Sequence, residues 1–377
     1  MTSIDYLIVG SGLTGATLAR LLADAGREVL VLDRRAHLGG NVHDELHATG
    51  IRVQRYGPHF FRTNSPGIWS FLQRFTEFYD FQARIMTQVD GQLEAWPVTE
   101  SYLRRAVGDT WEPGFRGTPT NFEEASLSMM PQVVYEKFVR DYTAKQWGVD
   151  PRTLDANLAK RFDVRRDDDW RLSRHRFQGL PTQGFAGMMQ RMLAGIEVRT
   201  GVDYLRCRED FDVRRQLIFT GPIDEFYGYD LGALTYRGQV RQTEYLPHIE
   251  RFQGNCVVNY PSKRDGELVR RMEWKQFMPI AEQPGLRGTV LTTETPWSPT
   301  DPNDFEYPFP NLQNGELYRQ YRARAEADPR VLICGRLGEY RYFDMDQAIG
   351  RALVLAKRAL QLEVSILDED AQAAIPT

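Results

Sequence analysis

The first 33 residues alternate between apolar runs and a periodic segment in the order of a strand, a helix and a second strand. Residues 6–9 form a short apolar run that predicts a buried strand. Leu18, Leu21 and Leu22 recur at the spacing of one helix face, which predicts a helix over 16–25. Residues 28–32 are rich in valine and leucine and predict the second strand. This order indicates a βαβ unit and hence a parallel sheet.

Small residues and one acid occupy the turns of this unit. Gly10, Gly12 and Gly15 follow the first strand directly, and Asp33 closes the second strand. Gly10 allows a tight turn, Gly12 lets the backbone approach a pyrophosphate, and Gly15 lets helix and strand pack closely. The helix N-terminus offers free N–H groups to an anion, and an acid after the second strand accepts a hydrogen bond from a ribose hydroxyl. The pattern therefore predicts a dinucleotide site.

Two further segments favour FAD over NAD as the dinucleotide. Gly39 and Gly40 follow the acid at a distance typical of FAD-binding chains, whereas NAD dehydrogenases usually begin another helix there. Residues 331–336 predict a buried strand, and residues 344–362 predict a helix. The N-terminus of such a helix can point at the pyrimidine edge of a flavin and stabilise negative charge on the reduced ring. FAD is therefore the predicted cofactor.

The same signals predict an α/β fold: a Rossmann-like FAD-binding domain with a helical domain and an antiparallel β-sheet domain. Apolar residues four apart at Val134, Phe138 and Tyr142 predict a helix over 131–147. Short β-like runs at 255–260 and 288–293 predict the antiparallel sheet. The predicted boundaries are 1–70, 185–235 and 328–365 for the FAD-binding domain, 97–162 for the helical domain, 71–96, 163–184 and 236–327 for the sheet and substrate domain, and 366–377 for a tail.

Composition removes several classes of protein. The 377 residues carry a formal net charge of −4, which leaves no basic footprint for nucleic-acid binding. The three cysteines, Cys207, Cys256 and Cys334, are far apart, which argues against a disulfide framework or a metal site and favours a reducing cytoplasm. Neither a signal peptide nor a membrane span is expected, because no apolar run approaches about 20 residues. Only six of the 47 basic residues are lysines, and the others are arginines. This excess of arginine either reflects a compositional bias or includes arginines that form a phosphate site.

Seven short motifs, in order along nearly the whole chain, resemble those of the UDP-galactopyranose mutase family. They lie at 10–15, 39–41, 56–59, 142–148, 220–224, 252–255 and 335–345. The resemblance implies an isomerase without net redox change. In this reaction N5 of reduced flavin attacks the anomeric carbon of a nucleotide sugar, the nucleoside diphosphate leaves, and the opened sugar recloses as a furanose. The resemblance also implies FAD that is active when reduced, an external reductant such as NAD(P)H, and a homodimer.

The resemblance assigns roles to single residues. Its catalytic set comprises two diphosphate arginines, a histidine beside the flavin and two tyrosines that contact the diphosphate: Arg165, Arg270, His59, Tyr307 and Tyr342. A shift of one residue would place Arg166 or Arg271 there instead. The substrate-binding set comprises an aromatic that stacks on the base, Phe138, together with Tyr142, Trp147, Phe177, Arg62 and Asn255. The cofactor-binding set comprises Gly10, Gly12, Leu13, Thr14, Gly15, Asp33, Arg34, Gly39, Gly40, Asn41, Tyr56, His59, Arg336, Asp344 and Met345.

Two positions depart from the family pattern where the nucleotide and sugar should lie. Arg62 stands where the family has a histidine, and Phe177 stands where it has a tyrosine that contacts phosphate. A wrong partner for a buried hydrogen bond costs about 1–3 kcal/mol, which changes substrate preference by roughly 10–100-fold. UDP-galactopyranose is the family's default substrate. The departures predict a relative of it instead, with another base such as guanine or with an N-acetyl or 6-deoxy sugar.

Three other functions use related scaffolds. A flavin oxidase or desaturase would share the FAD-binding fold, but its substrate would reduce the flavin. A non-catalytic FAD-binding protein would bind flavin without turnover, although the intact catalytic arginines and tyrosines weigh against it. An NAD-dependent epimerase or dehydrogenase is disfavoured, because the sequence has no Tyr-x-x-x-Lys pair and carries Gly39 and Gly40. The mutase is therefore the preferred interpretation.

Overall fold

The computed structural model describes residues 2–162 and 164–360, and the predicted tail at 366–377 lies outside them. Its strands are β1 (Thr2–Val9), β2 (Val29–Asp33), β3 (Asp44–Leu46), β4 (Arg52–Gln54), β5 (Phe61–Thr63), β6 (Phe78–Tyr79), β7 (Ile85–Val89), β8 (Gln92–Trp96), β9 (Phe177–Pro181), β10 (Glu197–Thr200), β11 (Phe211–Phe219), β12 (Tyr236–Leu246), β13 (Val257–Asn259), β14 (Arg270–Glu273), β15 (Thr289–Trp297), β16 (Tyr307–Pro308) and β17 (Val331–Ile333).

The helices surround these strands and are joined to them by short 3₁₀ turns. They are α1 (Leu13–Asp24), α2 (Pro66–Gln73), α3 (Glu100–Val107), α4 (Phe122–Leu127), α5 (Gln132–Val134), α6 (Asp141–Trp147), α7 (Gly184–Met192), α8 (Ile223–Phe226), α9 (Leu312–Glu326), α10 (Gly335–Gly338) and α11 (Met345–Leu360). The helix predicted over 344–362 is α11, and its last two predicted residues lie outside the described part of the chain.

A five-stranded parallel sheet carries the N-terminal βαβ unit. Its strand order is β10-β2-β1-β11-β17, and each neighbouring pair is parallel. Leu7, Ile8, Leu30 and Val31 are fully buried, as expected of parallel strands that are covered on both faces. Helices α1 and α11 pack against each other, and both contribute to the core on the side of Ile8 and Val31. This sheet confirms the predicted Rossmann-like fold.

A seven-stranded sheet of order β16-β12-β15-β14-β13-β7-β8 forms the second large sheet. Five of its pairings are antiparallel, as expected from the sequence. The sixth, between β13 and β7, is parallel, so the sheet is mixed. The parallel pair arises because β7 and β8 form a hairpin from a much earlier part of the chain, which adds to the edge strand β13.

Helices α3 to α6 form a helical region with its own apolar core, separate from the core of the parallel sheet. The helix predicted over 131–147 is a continuous helical run, but its middle, Tyr135–Arg140, is π-helical. Such π-turns are frequent at functional sites. Phe138 lies in this turn, is 3% exposed, and packs edge-on against Tyr102 with ring centroids 4.9 Å apart.

No helix within residues 2–162 and 164–360 is long and apolar enough to cross a bilayer. No group of His, Cys, Asp and Glu side chains in the same residues could hold a metal ion. The thiols of Cys207, Cys256 and Cys334 are free, and the last two are buried.

Candidate active site

The carboxyl ends of β1, β2 and β11 border a cleft of about 1080 Å³, which we call the dinucleotide cleft. Ligands of open α/β sheets bind at this edge of the strands. Fourteen of the residues predicted to bind the cofactor line this cleft: Gly10, Gly12, Leu13, Thr14, Gly15, Asp33, Arg34, Gly39, Gly40, Asn41, His59, Arg336, Asp344 and Met345. Residues from the N-terminal and the C-terminal parts of the chain therefore line one cleft, and their contact with a cofactor stays a prediction.

The glycine turn before α1 leaves room for a phosphate group. Gly10 has a φ of +105°, and a Cβ at this position would lie 2.0 Å from Thr220 Oγ1. A Cβ on Gly15 would lie 2.0 Å from the carbonyl oxygen of Gly10, so side chains are excluded at both positions. A Cβ on Gly12 would instead meet open space. Gly12 is the N-cap of α1 and supplies no side-chain cap, so the N–H groups of the first turn suit a pyrophosphate.

Asp33 is buried at the end of β2 and orders the turn beside it. Its Oδ2 accepts hydrogen bonds from the backbone N–H (2.8 Å) and the hydroxyl (2.5 Å) of Ser11, and its Oδ1 accepts one from the N–H of Arg35 (2.9 Å). Because a carboxylate oxygen can accept two hydrogen bonds, Oδ1 retains capacity for a ribose hydroxyl. Arg34 pairs with both carboxylate oxygens of Glu225, at 2.8 and 2.7 Å, which stabilises this wall of the cleft.

His59 lies in the wall of the dinucleotide cleft as a neutral imidazole. Its Nδ1 lies 2.8 Å from the carbonyl oxygen of Gly57. Only a protonated Nδ1 can donate to that oxygen, so in the neutral ring Nε2 is the unprotonated nitrogen. Burial, and then the charge of Arg336, lowers the pKa of His59 from 6.5 to about 3. The ring can therefore accept a hydrogen bond through Nε2 at neutral pH.

A second cleft, of about 860 Å³, opens beside the helical region, and we call it the aromatic cleft. It is lined mainly by rings, with a few polar groups among them: Thr87, Trp96, Phe122, Phe138, Tyr142, Thr143, Gln146, Trp147, Leu158, Phe162, Asn259, Arg270 and Tyr307. Five of the residues predicted for substrate binding or catalysis thus share one cleft: Phe138, Tyr142, Trp147, Arg270 and Tyr307.

Two buried hydroxyls in the aromatic cleft have no hydrogen-bond partner within the described residues. They belong to Thr87 of β7, which is 2% exposed, and Thr143 of α6, which is 1% exposed. An unsatisfied buried hydroxyl costs about 1–3 kcal/mol, and native structures contain few such groups. A polar ligand whose binding turns these side chains toward the cleft would offset this cost.

The two clefts meet at Arg336, Tyr307 and Tyr342. Arg336 lines the dinucleotide cleft, and Tyr307 lines the aromatic cleft. The guanidinium carbon of Arg336 lies 4.8 Å from the ring centroid of Tyr342 and 5.8 Å from that of Tyr307. The two tyrosine rings stack with centroids 6.1 Å apart. Ligands in the two clefts would therefore approach each other beside a cation and two phenols.

Four charged side chains form a buried chain below this junction: Arg270, Glu294, Arg241 and Glu306. Glu294 Oε2 lies 3.0 Å from Arg270 Nε, and Glu294 Oε1 accepts a hydrogen bond from Arg241 Nε at 2.9 Å. Arg241 also donates to both carboxylate oxygens of Glu306, at 2.6 and 2.9 Å. Burial alone would raise the pKa of Glu294, but Arg270 and Arg241 hold it below its usual value. Sequence reasoning missed Glu294, Arg241 and Glu306. Arg241 and Glu294 lie within strands β12 and β15, and Glu306 directly precedes β16.

Arg237 was also missed and braces the wall of the aromatic cleft. It is 6% exposed, and its guanidinium donates to the carbonyl oxygens of Gln146 (2.9 Å) and Lys145 (3.2 Å) and to the hydroxyl of Ser298 (2.6 Å). These bonds hold the end of α6, which carries four of the residues that line the cleft. Arg237 thus supports the position of this helix against β12.

Arg165, predicted to close over the diphosphate, lines neither cleft. Its side chain is 4% exposed, and Nη1 donates to the carbonyl oxygen of Asp169 at 2.5 Å and lies 3.8 Å from the Asp169 carboxylate. Its backbone N–H donates to the carbonyl oxygen of Val98. The neighbouring Arg166 is exposed, with its guanidinium 4.7 Å from the ring centroid of Trp111. Contact with a diphosphate would require residues 164–176 to rearrange, so the role of Arg165 stays a prediction.

Arg62 and Tyr56 lie near the dinucleotide cleft but do not line it. Arg62 Nη2 lies 3.5 Å from the carboxylate of Asp344, which does line the cleft. The hydroxyl of Tyr56 lies 2.8 Å from His37 Nε2, and the guanidinium of Arg35 stacks 4.4 Å from its ring centroid. Arg62 thus meets the wall of the cleft at Asp344, and the predicted roles of Arg62 and Tyr56 stay predictions.

Phe177 and Asn255 lie outside both clefts. Phe177 begins β9 and stacks on Trp69 with ring centroids 5.4 Å apart, which is a packing contact. Asn255 precedes β13, and its carbonyl oxygen accepts a hydrogen bond from the side chain of Gln253 at 2.8 Å. The structure therefore does not bring these two predicted substrate residues to the aromatic cleft.

Comparison with known proteins assigns the family. A family model described as UDP-galactopyranose mutase matches residues 137–342, and one described as an NAD(P)-binding Rossmann-like domain matches residues 8–75. The dTDP-fucopyranose mutase of Escherichia coli is 33% identical over 371 residues, which cover 93% of this chain and 97% of that protein. The chain belongs to the UDP-galactopyranose mutase family. It is an isomerase of that family, which confirms the predicted class of enzyme.

Another sequence relative supports this assignment, and solved structures share the fold. The UDP-galactopyranose mutase of Mycoplasma pneumoniae is 28% identical over 392 residues, covering 95% of this chain and 96% of that protein. A crystal structure of reduced UDP-galactopyranose mutase shares the fold with a TM-score of 0.73 at 15% identity, over 98% of this chain and 99% of that chain. A putrescine oxidase shares it with a TM-score of 0.59 at 13% identity, over 96% and 99%. Mutases and oxidases thus use one scaffold, so activity within it depends on the clefts.

Proposed function

We propose that the chain is a flavin-dependent mutase that interconverts the pyranose and furanose forms of a nucleoside-diphosphate galactose-type sugar, without net redox change. The observation that supports this most directly is the junction of the two clefts at Arg336, Tyr307 and Tyr342. A dinucleotide in one cleft and a nucleotide sugar in the other would meet there. Concave sites with a few convergent polar groups are the usual form of such ligand sites.

The dinucleotide cleft suits FAD. The open space at Gly12 and the uncapped N-terminus of α1 would hold the pyrophosphate, and Asp33 Oδ1 would accept a ribose hydroxyl. Met345 begins α11 and lines the same cleft, so the positive end of a second helix dipole borders it. FAD, when bound and reduced, supplies the nucleophile for the anomeric carbon. An external reductant such as NAD(P)H would keep it reduced, and a homodimer stays a prediction.

Arg270 and Tyr307 would bind the diphosphate, because both line the aromatic cleft next to its junction with the dinucleotide cleft. Burial raises the pKa of Tyr307 to about 12, so its hydroxyl stays protonated and can donate to a phosphate oxygen. Arg270 stays charged and can donate through two parallel N–H groups. Negative charge gathers on the diphosphate as its bond to the sugar breaks, and fixed donors stabilise that charge most effectively.

The aromatic cleft would hold the nucleoside. Trp96 and Phe138 lie nearly parallel in its wall, with ring centroids 6.3 Å apart, and offer flat apolar surface to a base. The unpartnered hydroxyls of Thr87 and Thr143 would complete their hydrogen bonds on the polar edge of the nucleoside. One relative is named for dTDP-fucopyranose, a 6-deoxy sugar on a pyrimidine nucleotide. We propose a pyrimidine nucleotide of galactose or of its 6-deoxy form, and a GDP sugar is the alternative.

A panel of nucleotide sugars tests this proposal. The purified flavoprotein is reduced with dithionite and incubated with UDP-galactopyranose, dTDP-fucopyranose and a GDP-linked hexose, and the ring form of each product is read by NMR. Turnover that requires prior reduction and leaves the mass unchanged supports the mutase. Flavin reduction by the sugar would support the oxidase alternative, and bound flavin without turnover would support a non-catalytic protein. Fastest turnover of UDP-galactopyranose would contradict the altered substrate predicted from Arg62 and Phe177.

A further inference from the structure

One carboxylate holds Arg270 in the wall of the aromatic cleft. Arg270 begins β14 and lies directly opposite Glu294 of β15 in the sheet. Arg241 of β12 lies opposite Glu294 on its other side. The side chain of Glu294 is 1% exposed, whereas that of Arg270 is 19% exposed. Glu294 is therefore the buried partner of an arginine that reaches the cleft.

The geometry of this pair leaves the end of the guanidinium for a ligand. Glu294 Oε2 approaches Arg270 through Nε, at 3.0 Å. The contact is electrostatic, because neither atom meets the geometry of a hydrogen bond with any described residue. An ion pair through Nε leaves Nη1 and Nη2, the pair of nitrogens that can bind phosphate bidentately, at the other edge of the group.

We propose that Glu294 is a positioning residue whose carboxylate orients Arg270 toward the diphosphate of the substrate. The inference rests on the proposed function, since it presumes a nucleoside diphosphate in the aromatic cleft. Arg241 holds the opposite oxygen of Glu294 at 2.9 Å. With one oxygen fixed in this way, the carboxylate cannot rotate freely, and its second oxygen stays beside Arg270.

The same carboxylate connects the aromatic cleft to the dinucleotide cleft. A Cβ on Gly57, whose carbonyl oxygen holds His59, would lie 2.5 Å from Glu294 Oε1, so this turn packs directly on the carboxylate. On the other side, Arg241 pairs with Glu306, whose carbonyl oxygen lies 3.4 Å from Arg336 Nη1. Arg270 and Arg241 thus share the two buried carboxylates, and Arg336, which bonds the backbone of Glu306 and not its carboxylate, adds a further positive charge for an anionic diphosphate.

The test is Glu294→Gln, which keeps the shape of the side chain but removes the charge that holds Arg270. The Kd values of UDP, dTDP and GDP are measured by titration calorimetry on the flavin-loaded protein. We expect the Kd of the tightest-binding nucleotide to rise about 10-fold or more, as for the loss of a charged contact. Glu306→Gln is the matched control, because it makes the same chemical change in the other carboxylate that binds Arg241, which does not pair with Arg270. Its effect on the same Kd should be clearly smaller, and equal effects would overturn the proposal.

A double-mutant cycle separates positioning from a general loss of structure. Arg270→Gln alone should weaken nucleotide binding, and adding Glu294→Gln in that background should cause no further loss. The double variant also restores the charge balance, and its unchanged Kd supports the inference when Glu294→Gln alone weakens binding. If Glu294→Gln alone unfolds or loses flavin, Glu294→Asp takes its place in the cycle, because it keeps the charge but withdraws the carboxylate from Arg270. Additive losses contradict the inference. Normal binding by Glu294→Gln contradicts the inference alone, whereas wild-type flavoprotein that binds no nucleotide and turns over no nucleotide sugar contradicts the proposed function as well.

Discussion

Replacing Thr87 by valine should make the ligand-free protein more stable and its nucleotide binding weaker. Valine has nearly the shape of threonine but lacks the hydroxyl, which in Thr87 is buried without a partner in the described residues. Leaving such a group unsatisfied costs about 1–3 kcal/mol. Removing it should therefore raise the free energy of unfolding by about 1 kcal/mol. If a bound nucleotide completes the hydrogen bond, the same substitution should raise its Kd by about 10-fold.

Thr289 provides a matched control for this prediction. Its hydroxyl is also buried and unpartnered within the described residues, but it begins β15 and lines neither cleft. Thr289→Val should stabilise the protein to a similar extent and leave the Kd unchanged. Stability is measured by urea unfolding of the ligand-free protein, and Kd by calorimetry with UDP, dTDP and GDP. A less stable Thr87→Val, or equal changes of Kd in both variants, would refute the reasoning.

The remaining predictions concern the dinucleotide cleft and Arg165. Gly12→Ala should fold normally, since its Cβ would meet open space, but the purified protein should carry less FAD per chain, as measured by flavin absorbance. Gly10→Ala should lower the free energy of unfolding, because its Cβ would clash with Thr220 Oγ1. The pKa of His59 in the folded protein is lowered to about 3, whereas in the unfolded chain it is about 6.5. Protons therefore favour unfolding, and stability should fall as the pH drops below about 6.5; His59→Gln should make this part of the urea-unfolding profile flatter. Arg165→Ala should lose most turnover while keeping flavin, and the exposed Arg166→Ala should not; equal rates for both would show that Arg165 was aligned wrongly.

The elements around the glycine turn were predictable because their signals are local. The helix predicted over 16–25 is α1, Leu13–Asp24, and it begins earlier because Gly12 serves as its N-cap. Strand β2 was also predictable, because its run of apolar residues ends at Asp33. The π-turn at Tyr135–Arg140 was not predicted, because an apolar spacing of four residues does not distinguish a π-turn from an α-helix.

The buried charge chain could not be predicted from spacing along the sequence. Arg241 and Glu294 are 53 residues apart, and they meet only because β12 and β15 pair in a particular register. A shift of one residue in that pairing would send one of the two side chains to the other face of the sheet. Arg270 joins them because β14 pairs with the other edge of β15.

By itself, the sequence determined the class of fold, the predicted dinucleotide site and, through ordered motifs, the family and class of reaction. Only the tertiary structure decided which predicted residues share a cleft. Arg270 and Tyr307 do so, whereas Arg165, Phe177 and Asn255 do not. The physical reason is that the spacing of apolar residues specifies on which face of a single helix or strand each side chain lies. The packing and register between distant elements depend on the burial of the whole core, which the spacing of residues along one chain does not express.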